Sequence, residues 1–214
     1  MIRAFLSYSS LDKELAGRIK ANLVEYGINA FLAHEDIRPS SKWQRTIVSN
    51  LRRCEVFIPI ITKNFAKSSW TDQEAGFAMC RKVLVIPVSV DAIPYGFLNV
   101  YQAAKLDPDH LDAGIHRIVL AVCRRSRFRP RVLDGLVSAF ATSESFEQGK
   151  MNAQTLEEFD GYSPKQLKAI FAAFVDNYEN RSSFGAQRVI RRLLNAHASD
   201  VSAATARRVK NALQ

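Results

Sequence analysis

Long apolar runs are missing from this sequence of 214 residues. None approaches the roughly 20 residues that a transmembrane helix needs, so we expect no membrane span and no membrane partner. The first residues enter a strand pattern without the flanks of a secretory signal, which favours a cytoplasmic location. Internal repeats and low-complexity tracts are also absent. Nearly half of the residues are hydrophobic, so we expect a folded core.

Cysteine and histidine are scarce. Cys54, Cys80 and Cys123 lie far apart in apolar or helical contexts. We interpret them as reduced packing residues, because a disulfide or metal framework needs paired and closely spaced cysteines. His34 precedes two acidic residues, but no second histidine lies within ligand spacing. The sequence therefore predicts no metal site.

Positive charge exceeds negative charge, and most of the excess lies in the first part of the chain. The net charge is +9, and residues 1–129 carry 19 basic against 12 acidic side chains. An arginine cluster ends this part: Arg124, Arg125, Arg127, Arg129 and Arg131. These cations either contact phosphates or acidic lipid, or simply end a helix before Pro130, and the second interpretation is the commoner one. Nucleic-acid binding is disfavoured because the sequence contains no known nucleic-acid-binding motif.

Short apolar runs alternate with amphipathic stretches over residues 1–125. This alternation predicts an α/β fold in which helices flank a parallel sheet. The predicted strands are Arg3–Tyr8, Asn29–Leu32, Val56–Ile61, Val83–Val90 and Ala103–Leu106. The predicted helices are Asp12–Tyr26, Lys42–Arg53, Trp70–Cys80 and His110–Arg125. Gly27 stands where the first of these helices should end.

Residues after Pro130 show no further strand pattern, so we predict an α/β domain over 1–128 and a small all-α domain over 129–214. Ser163 and Pro164 have the pattern of a helix start. One apolar stripe follows: Leu167, Ile170, Phe171, Phe174, Val175 and Tyr178. A facing stripe comprises Val189, Ile190, Leu193 and Leu194, and a last helix is predicted from Ser199 to Leu213.

The charge of the helical part is divided along the sequence. Residues 132–187 hold four basic and eight acidic side chains, whereas residues 188–214 hold six basic and one acidic. Either these stretches pack against the opposite stretches of a neighbouring copy, or they are ordinary solvated helix faces. Both interpretations remain open at this point.

Polar residues follow the first and third predicted strands. In an open parallel sheet of flavodoxin-like order 2-1-3-4-5, ligands bind beyond the carboxyl ends of strands one and three. The first strand leads into Tyr8, Ser9 and Ser10, and the third leads into a helix that carries Trp70 and Glu74 on one face. Glu74 is followed by apolar residues, where an unpaired carboxylate is costly unless it serves chemistry. We therefore predict a site in this crevice.

Three segments in register resemble the Toll/interleukin-receptor (TIR) family, most closely its bacterial branch. Phe5-Leu-Ser-Tyr-Ser-Ser10 resembles the first box of TIR domains, and Asp36-Ile-Arg-Pro-Ser-Ser-Lys-Trp43 resembles their BB loop. Ser69-Trp-Thr-Asp-Gln-Glu74 resembles the segment that holds their catalytic glutamate. The resemblance covers about residues 1–125. Two positions depart from the family pattern: Ser40 stands where the BB loop usually has glycine, and Ala33 where many members have aspartate.

The resemblance implies one of two functions. The first is cleavage of NAD+ at the nicotinamide–ribose bond, with hydrolysis or cyclisation of the product, as in bacterial antiviral defence signalling. The second is a non-catalytic adaptor that acts by homotypic TIR–TIR association. In the enzymes NAD+ is the substrate, no further cofactor is needed, and a neighbouring subunit often completes the site. Self-association through TIR surfaces, and through the helical part, is therefore expected.

The resemblance also assigns roles to individual residues. Glu74 matches the catalytic glutamate and would stabilise positive charge on the ribose. Candidate substrate-binding residues are Tyr8, Ser9, Ser10, Trp70, Arg38 and Lys42. Trp70 would either touch substrate or wedge its helix, and the two cations would meet a pyrophosphate. A phosphoacceptor domain of flavodoxin-like type is a weaker alternative, because the first strand ends in Tyr8, Ser9 and Ser10 rather than in clustered acids.

Overall fold

The structure, a computed structural model, describes residues 1–33 and 43–213, apart from the side chain of Trp43. It divides into two compact units, Met1–Val132 and Leu133–Gln214. The boundary predicted from the sequence, after residue 128, lies shortly before this division. Among the described residues, no helix has both the length and the apolar character to cross a membrane.

The first unit is built on a parallel sheet. Its strands are β1 (Ile2–Ser7), β2 (Ile28–Phe31), β3 (Val56–Ile61), β4 (Leu84–Val85), β5 (Val88–Ser89) and β6 (Ala104–Lys105). They lie in the order β2-β1-β3-β5-β6, and β4 also pairs with β3. Since β4 and β5 together take the place of the fourth predicted strand, the flavodoxin-like order is confirmed. All six residues of β3 are buried, as a central strand of a sheet covered on both faces should be.

The fourth predicted strand, Val83–Val90, is wrong as a single element. Ile86 and Pro87 separate β4 from β5, and Pro87 has no N–H to donate to a ladder. The register is nevertheless the same on both sides of the break. Phe57 of β3 pairs with Val85 before it, and Ile60 pairs with Val88 after it.

In the described part of the chain, four helices flank the sheet in the positions that the sequence predicts, within a few residues at each end. They are α1 (Lys13–Glu25), α2 (Trp43–Arg53), α3 (Ser69–Cys80) and α4 (Asp112–Cys123). Short 3-10 helices cover Ser10–Asp12, Phe65–Lys67 and Gly96–Val100. Helix α1 buries Ala16, Ile19 and Leu23. Gly27 ends the turn after α1 with a φ of 70°, a conformation that glycine adopts at little cost.

Aromatic side chains and the free thiols show how the core of this unit is filled. The ring of Phe5 lies 5.3 Å from that of Phe31 and 6.0 Å from that of Phe57. Cys54 and Cys123 are buried free thiols, as predicted. The interpretation of Cys80 as a packing residue is wrong, because this cysteine, at the last position of α3, is exposed.

The second unit is helical, as the sequence predicts. Helix α5 (Arg129–Ala141) leads into it, followed by α6 (Phe146–Glu157), α7 (Pro164–Asp176), α8 (Tyr178–Ser182), α9 (Phe184–Ala196) and α10 (Ala203–Ala212). Ser163 caps α7 in a capping box with Gln166. Helix α9 packs against α6 and also contacts α7, and it buries the predicted facing stripe of Val189, Ile190, Leu193 and Leu194.

Two predictions for the helical unit are wrong. Tyr178 does not join the buried stripe of α7, because it begins α8 and is exposed. The last helix begins at Ala203, where Ser202 accepts a hydrogen bond from the Thr205 N–H, rather than at Ser199. Residues 197–200 form a turn instead, in which His197 Nδ1 lies 2.9 Å from Asp200 Oδ2.

Ion pairs and asparagines connect the helices of this unit. Arg192 pairs with Glu157 at 3.0 Å and Arg208 pairs with Asp176 at 3.2 Å, so the basic and acidic stretches meet within one copy. Asn180 is fully buried and donates to the Phe140 carbonyl at 2.6 Å. A Cβ at Gly149 would stand 2.7 Å from Asn180 Oδ1, so this close approach requires glycine.

Candidate functional site

The carboxyl ends of β1 and β3 lie side by side, since Ser7 of β1 pairs with Pro59 of β3. Helix α3 begins after β3 and its 3-10 turn. The buried hydroxyl of Thr71 lies 2.9 Å from the Phe65 carbonyl and 2.7 Å from the Ser68 carbonyl, which holds the turn against the first residues of α3. Glu74 follows one turn later and so faces the end of β1.

The carboxylate of Glu74 is buried at this point. Its side chain belongs to a residue that is 7% exposed, and Oε2 accepts a hydrogen bond from Ser7 Oγ at 2.5 Å. Within residues 1–33 and 43–213, Glu74 makes no ion pair. A buried carboxylate without a cationic partner is rare, because its charge is costly to remove from water.

Burial raises the pKa of Glu74 to about 7, and the hydrogen bond from Ser7 opposes this rise. The carboxyl group therefore keeps its proton to a higher pH than an exposed glutamate does. A group poised in this way can hold a proton or release it to a small change in its surroundings. Positive charge placed beside it would favour the ionised form.

Asp12 connects the loop that follows β1 to the loop that follows β3. Its Oδ2 accepts from Thr62 Oγ1 at 2.6 Å and its Oδ1 accepts from Asn64 Nδ2 at 2.9 Å. Thr62 and Asn64 follow β3, whereas Asp12 follows β1. The prediction that these two segments face each other is confirmed by these bonds.

The loop after β5 is also fastened to α3. Tyr95 donates its hydroxyl hydrogen to Asp72 Oδ1 at 2.6 Å, and its ring packs edge-on against Phe65. Burial, together with the hydrogen bond to Asp72 and the charge of that carboxylate, raises the pKa of Tyr95 to about 12. Helix α3 is thus held from both sides, which fixes where Glu74 lies.

The predicted substrate-binding residues take different positions. Tyr8 and Ser9 are buried directly after β1, and Ser10 is exposed at the start of the first 3-10 helix. Trp70 is half-buried in the first turn of α3. Arg38 and Lys42 lie outside the described residues. The roles assigned to all six stay predictions.

Ser7 is the residue that sequence reasoning missed. It is the last residue of β1 and is buried, and its hydroxyl is the group that contacts Glu74. The available signal was a hydroxyl side chain at the end of an apolar strand, directly before the predicted Tyr8-Ser9-Ser10 segment. That position sends a side chain toward the crevice rather than toward solvent.

Carboxylates, thiols and imidazoles do not gather elsewhere in a way that suggests a metal. Over the described ranges, no three or more His, Cys, Asp or Glu side chains come together closely enough to hold an ion. His34 and its acidic neighbours lie outside these ranges. The prediction that no metal is needed stays a prediction.

Comparison with known protein families identifies the family of the chain. A family model of the TIR domain matches residues 4–119, which is more than half of the chain. The chain belongs to the TIR domain family. The match includes Ser7, Asp12 and Glu74, so the contacts described above at the ends of β1 and β3 lie within the TIR domain. A search of curated proteins finds no match to the chain.

Two solved TIR structures resemble the chain at low sequence identity. The TIR domain of the Toll-related receptor TRR-2 from Hydra magnipapillata is 18% identical, with a TM-score of 0.44, over 60% of this chain and 96% of that one. The TIR domains of the activated Roq1 resistosome, which directly recognizes the pathogen effector XopQ, are 17% identical, with a TM-score of 0.39. That match covers 74% of this chain and 99% of the other.

Proposed function

We propose that this TIR domain cleaves NAD+ at the bond between nicotinamide and ribose, with Glu74 as the catalytic residue. The observation that carries the proposal is the Glu74 carboxylate, which is buried at the carboxyl ends of β1 and β3 and bonded to a hydroxyl instead of a cation. A structural acid at such a depth is normally paired with a cation. An acid kept unpaired is suited to a cationic reactant.

The chemistry asks little of the protein beyond this charge. As the C1′–N bond breaks, its electron pair moves to the nicotinamide nitrogen, which becomes neutral, and positive charge develops on the ribose ring. A carboxylate in a site of low dielectric stabilises that charge and accepts hydrogen bonds from ribose hydroxyls. Water then adds to C1′ and loses a proton. In a cyclisation, an adenine nitrogen would take the place of water.

Nicotinamide release from NAD+ tests the proposal. Glu74→Gln keeps the size of the side chain and a hydrogen-bonding partner for Ser7, but it removes the charge. We expect release to fall by on the order of 10²–10³-fold or more. The measurement should cover high protein concentrations and crowded solutions, because sites of this family are often completed by a neighbouring subunit.

Glu14→Gln is the matched control, since Glu14 is an exposed acid in the first turn of α1. It should release nicotinamide at the rate of the unaltered protein. Equal rates from the Glu74→Gln and Glu14→Gln variants would overturn the proposal. Where nicotinamide is released, chromatography of the second product distinguishes ADP-ribose from its cyclic form.

Exposed apolar side chains favour a second function, that of a non-catalytic adaptor. After β5, Ile93 is 81% exposed, Phe97 is 72% exposed and Val100 is 73% exposed. These three residues are close together in sequence, and a contiguous patch of exposed apolar side chains marks an interaction site. Homotypic docking of TIR domains would use such a surface and would not need the charge of Glu74.

Association and turnover can be separated by two variants. The adaptor function predicts that Phe97→Asp lowers the mass of assemblies measured by light scattering, whereas Glu74→Gln leaves it unchanged. It also predicts no nicotinamide release under any condition. Turnover by the unaltered protein that is lost in Glu74→Gln would exclude a purely non-catalytic adaptor.

A further inference from the structure

A concave site lies in the first unit, and Glu74 is not among the residues that line it. It is a cavity of about 480 Å³, formed where the turn after α3 meets the end of α4. Its walls are residues 82–84 and 124–127. β4 begins in the first of these segments, so the cavity lies at the amino end of this strand. Its volume falls within the roughly 300–1,000 Å³ of small-molecule sites.

The charge of this cavity is strongly positive. Of the seven described residues that line it, four are cationic and none is acidic; the cations are Lys82, Arg124, Arg125 and Arg127. None of these four makes an ion pair with another described residue. Ser126 adds a hydroxyl group to the same wall. Several unpaired cations around one concavity attract an anion.

Helix termini explain only part of this charge. Helices α3 and α4 both end beside the cavity, at Cys80 and Cys123. Each helix end carries the equivalent of about half a negative charge, so two ends offset about one of the four cations. About three positive charges at the cavity are therefore not explained by the negative ends of the two helix dipoles.

The arginine cluster itself separates into paired and unpaired members. Arg131 holds the Glu55 carboxylate with both of its terminal nitrogens, at 2.8 and 3.2 Å. Arg127 lies over the ring of Phe128, with its guanidinium carbon 4.5 Å from the ring centre. Arg131 therefore serves the fold, whereas Arg127 lies on an aromatic ring and makes no ion pair with another described residue.

Lys82 reaches the cavity from a strained backbone conformation. Its φ is 54°, and it is the single non-glycine residue with positive φ in the described part of the chain. Glycine is the usual residue after a helix that ends in this way. A lysine there carries a backbone cost, and in return it places a cation at the cavity.

We propose that this cavity binds a small molecule that carries two or more consecutive phosphates. A single phosphate would leave much of the positive charge uncompensated, whereas an oligophosphate matches several cations at once. The described lining contains no aromatic side chain on which bases could stack, and its concave shape suits a compact ligand better than an extended strand.

Titration calorimetry with inorganic tripolyphosphate tests the proposal on the full chain. This probe carries no ribose or nicotinamide, so its binding does not depend on NAD+ cleavage. Arg124→Ala combined with Arg125→Ala should weaken binding by roughly tenfold or more. The matched control is Lys13→Ala with Arg18→Ala, which removes two exposed cations from α1 and should change the affinity by less than about twofold.

Lys82→Gly supplies an independent variant, because glycine suits the positive φ and cannot disturb the fold by strain. It should weaken tripolyphosphate binding while the thermal midpoint stays the same or rises. Three results would each overturn the proposal: no binding of tripolyphosphate at millimolar concentration, equal losses in the cavity and control variants, or tighter binding of duplex DNA than of tripolyphosphate. The last result would indicate a nucleic-acid surface instead.

Discussion

Glu55 and Glu74 lie at opposite ends of the sheet, and their surroundings shift their pKa values in opposite directions. Glu55 directly precedes β3 at its amino end, where Arg131 contacts both carboxylate oxygens and the Arg3 backbone N–H donates to one of them. Glu74 lies at the carboxyl end of β1, accepts a hydrogen bond from the hydroxyl of Ser7 and makes no ion pair with another described residue. The hydrogen bonds from Arg131 hold the pKa of Glu55 below its usual value, whereas burial raises that of Glu74 to about 7.

Ionised Glu55 therefore stabilises the folded state, whereas ionised Glu74 destabilises it. A carboxyl group whose pKa is lowered on folding adds stability when it is ionised, and one whose pKa is raised removes stability. Proteins retain the second kind where chemistry needs it. The comparison therefore makes predictions about stability that do not depend on any assay of activity.

The largest expected effect belongs to Glu74→Gln. A pKa of about 7 in place of 4.5 corresponds to about 3 kcal/mol at pH values above 7. Both states of the protein bind the proton below about pH 4.5, so the cost disappears there. We expect the variant to be more stable than the unaltered protein by about 2–3 kcal/mol at pH 8, and equally stable near pH 4.5, in urea unfolding experiments. A variant that is less stable at pH 8 would break the comparison.

Glu55→Gln should act in the opposite direction. It removes the charged partner of Arg131, so we expect a loss of about 1–2 kcal/mol at pH 7. Because the pKa of Glu55 is lowered, its contribution is present above the unfolded value near 4.5 and disappears as the pH falls through the folded value. The loss should therefore shrink in unfolding experiments below about pH 4. A loss that is constant with pH would show that the ion pair is not its cause.

Ser7→Ala should sharpen the comparison at the other end of the sheet. The Ser7 hydroxyl lowers the pKa of Glu74, so its removal should move the titration midpoint above about 7, as measured by carbon NMR of labelled glutamate. If Glu74 must be ionised for NAD+ cleavage, the pH dependence of kcat/KM should move the same way. Ser68→Ala is the control, because the Ser68 hydroxyl makes no cap bond at α3. If the titration midpoint of Glu74 is unchanged in Ser7→Ala, the Ser7 hydroxyl has no role in setting the pKa of Glu74.

The smallest expected effect is that of Lys82→Gly on stability. Relief of the positive φ should outweigh the flexibility that glycine adds to the unfolded chain, for a gain of about 0.5 kcal/mol. Lys63→Gly, at a position without positive φ, should instead lose a similar amount. The two midpoints in a thermal melt give the sign. A loss in both variants would show that the conformation of Lys82 carries little strain.

Much of the sheet could be predicted, because each strand has its own apolar pattern in the sequence and the strand order follows a common α/β topology. The buried run Val56–Ile61 reads directly as a central strand, and Gly27 reads as a helix end. Apolar patterning does not reveal the break between β4 and β5, because Val83–Val90 is apolar at every position except Ser89. The break follows from Pro87, which has no N–H to donate to a ladder. Tyr178 was misplaced for a similar reason, since helical spacing does not reveal where one helix ends and another begins.

The site was only half visible in the sequence. Glu74 stands out by its apolar neighbours, and the loops of β1 and β3 can be paired from the strand order. The hydrogen bond from Ser7 joins residues that are 67 positions apart, and no local pattern specifies such a contact. The opposite fates of Arg131 and Arg124, one held by Glu55 and the other at an open cavity, likewise depend on which elements the fold brings together.

The raised pKa of Glu74 has a consequence for the binding of any cation beside it. Below pH 7 the incoming charge must expel a hydrogen ion to the medium, so tighter association at alkaline pH is built into the free energy of binding. The heat of such an encounter would then vary with the ionisation enthalpy of the buffer. Proton release from Glu74 would thus give a calorimetric signal of cation binding that precedes any cleavage of a bond.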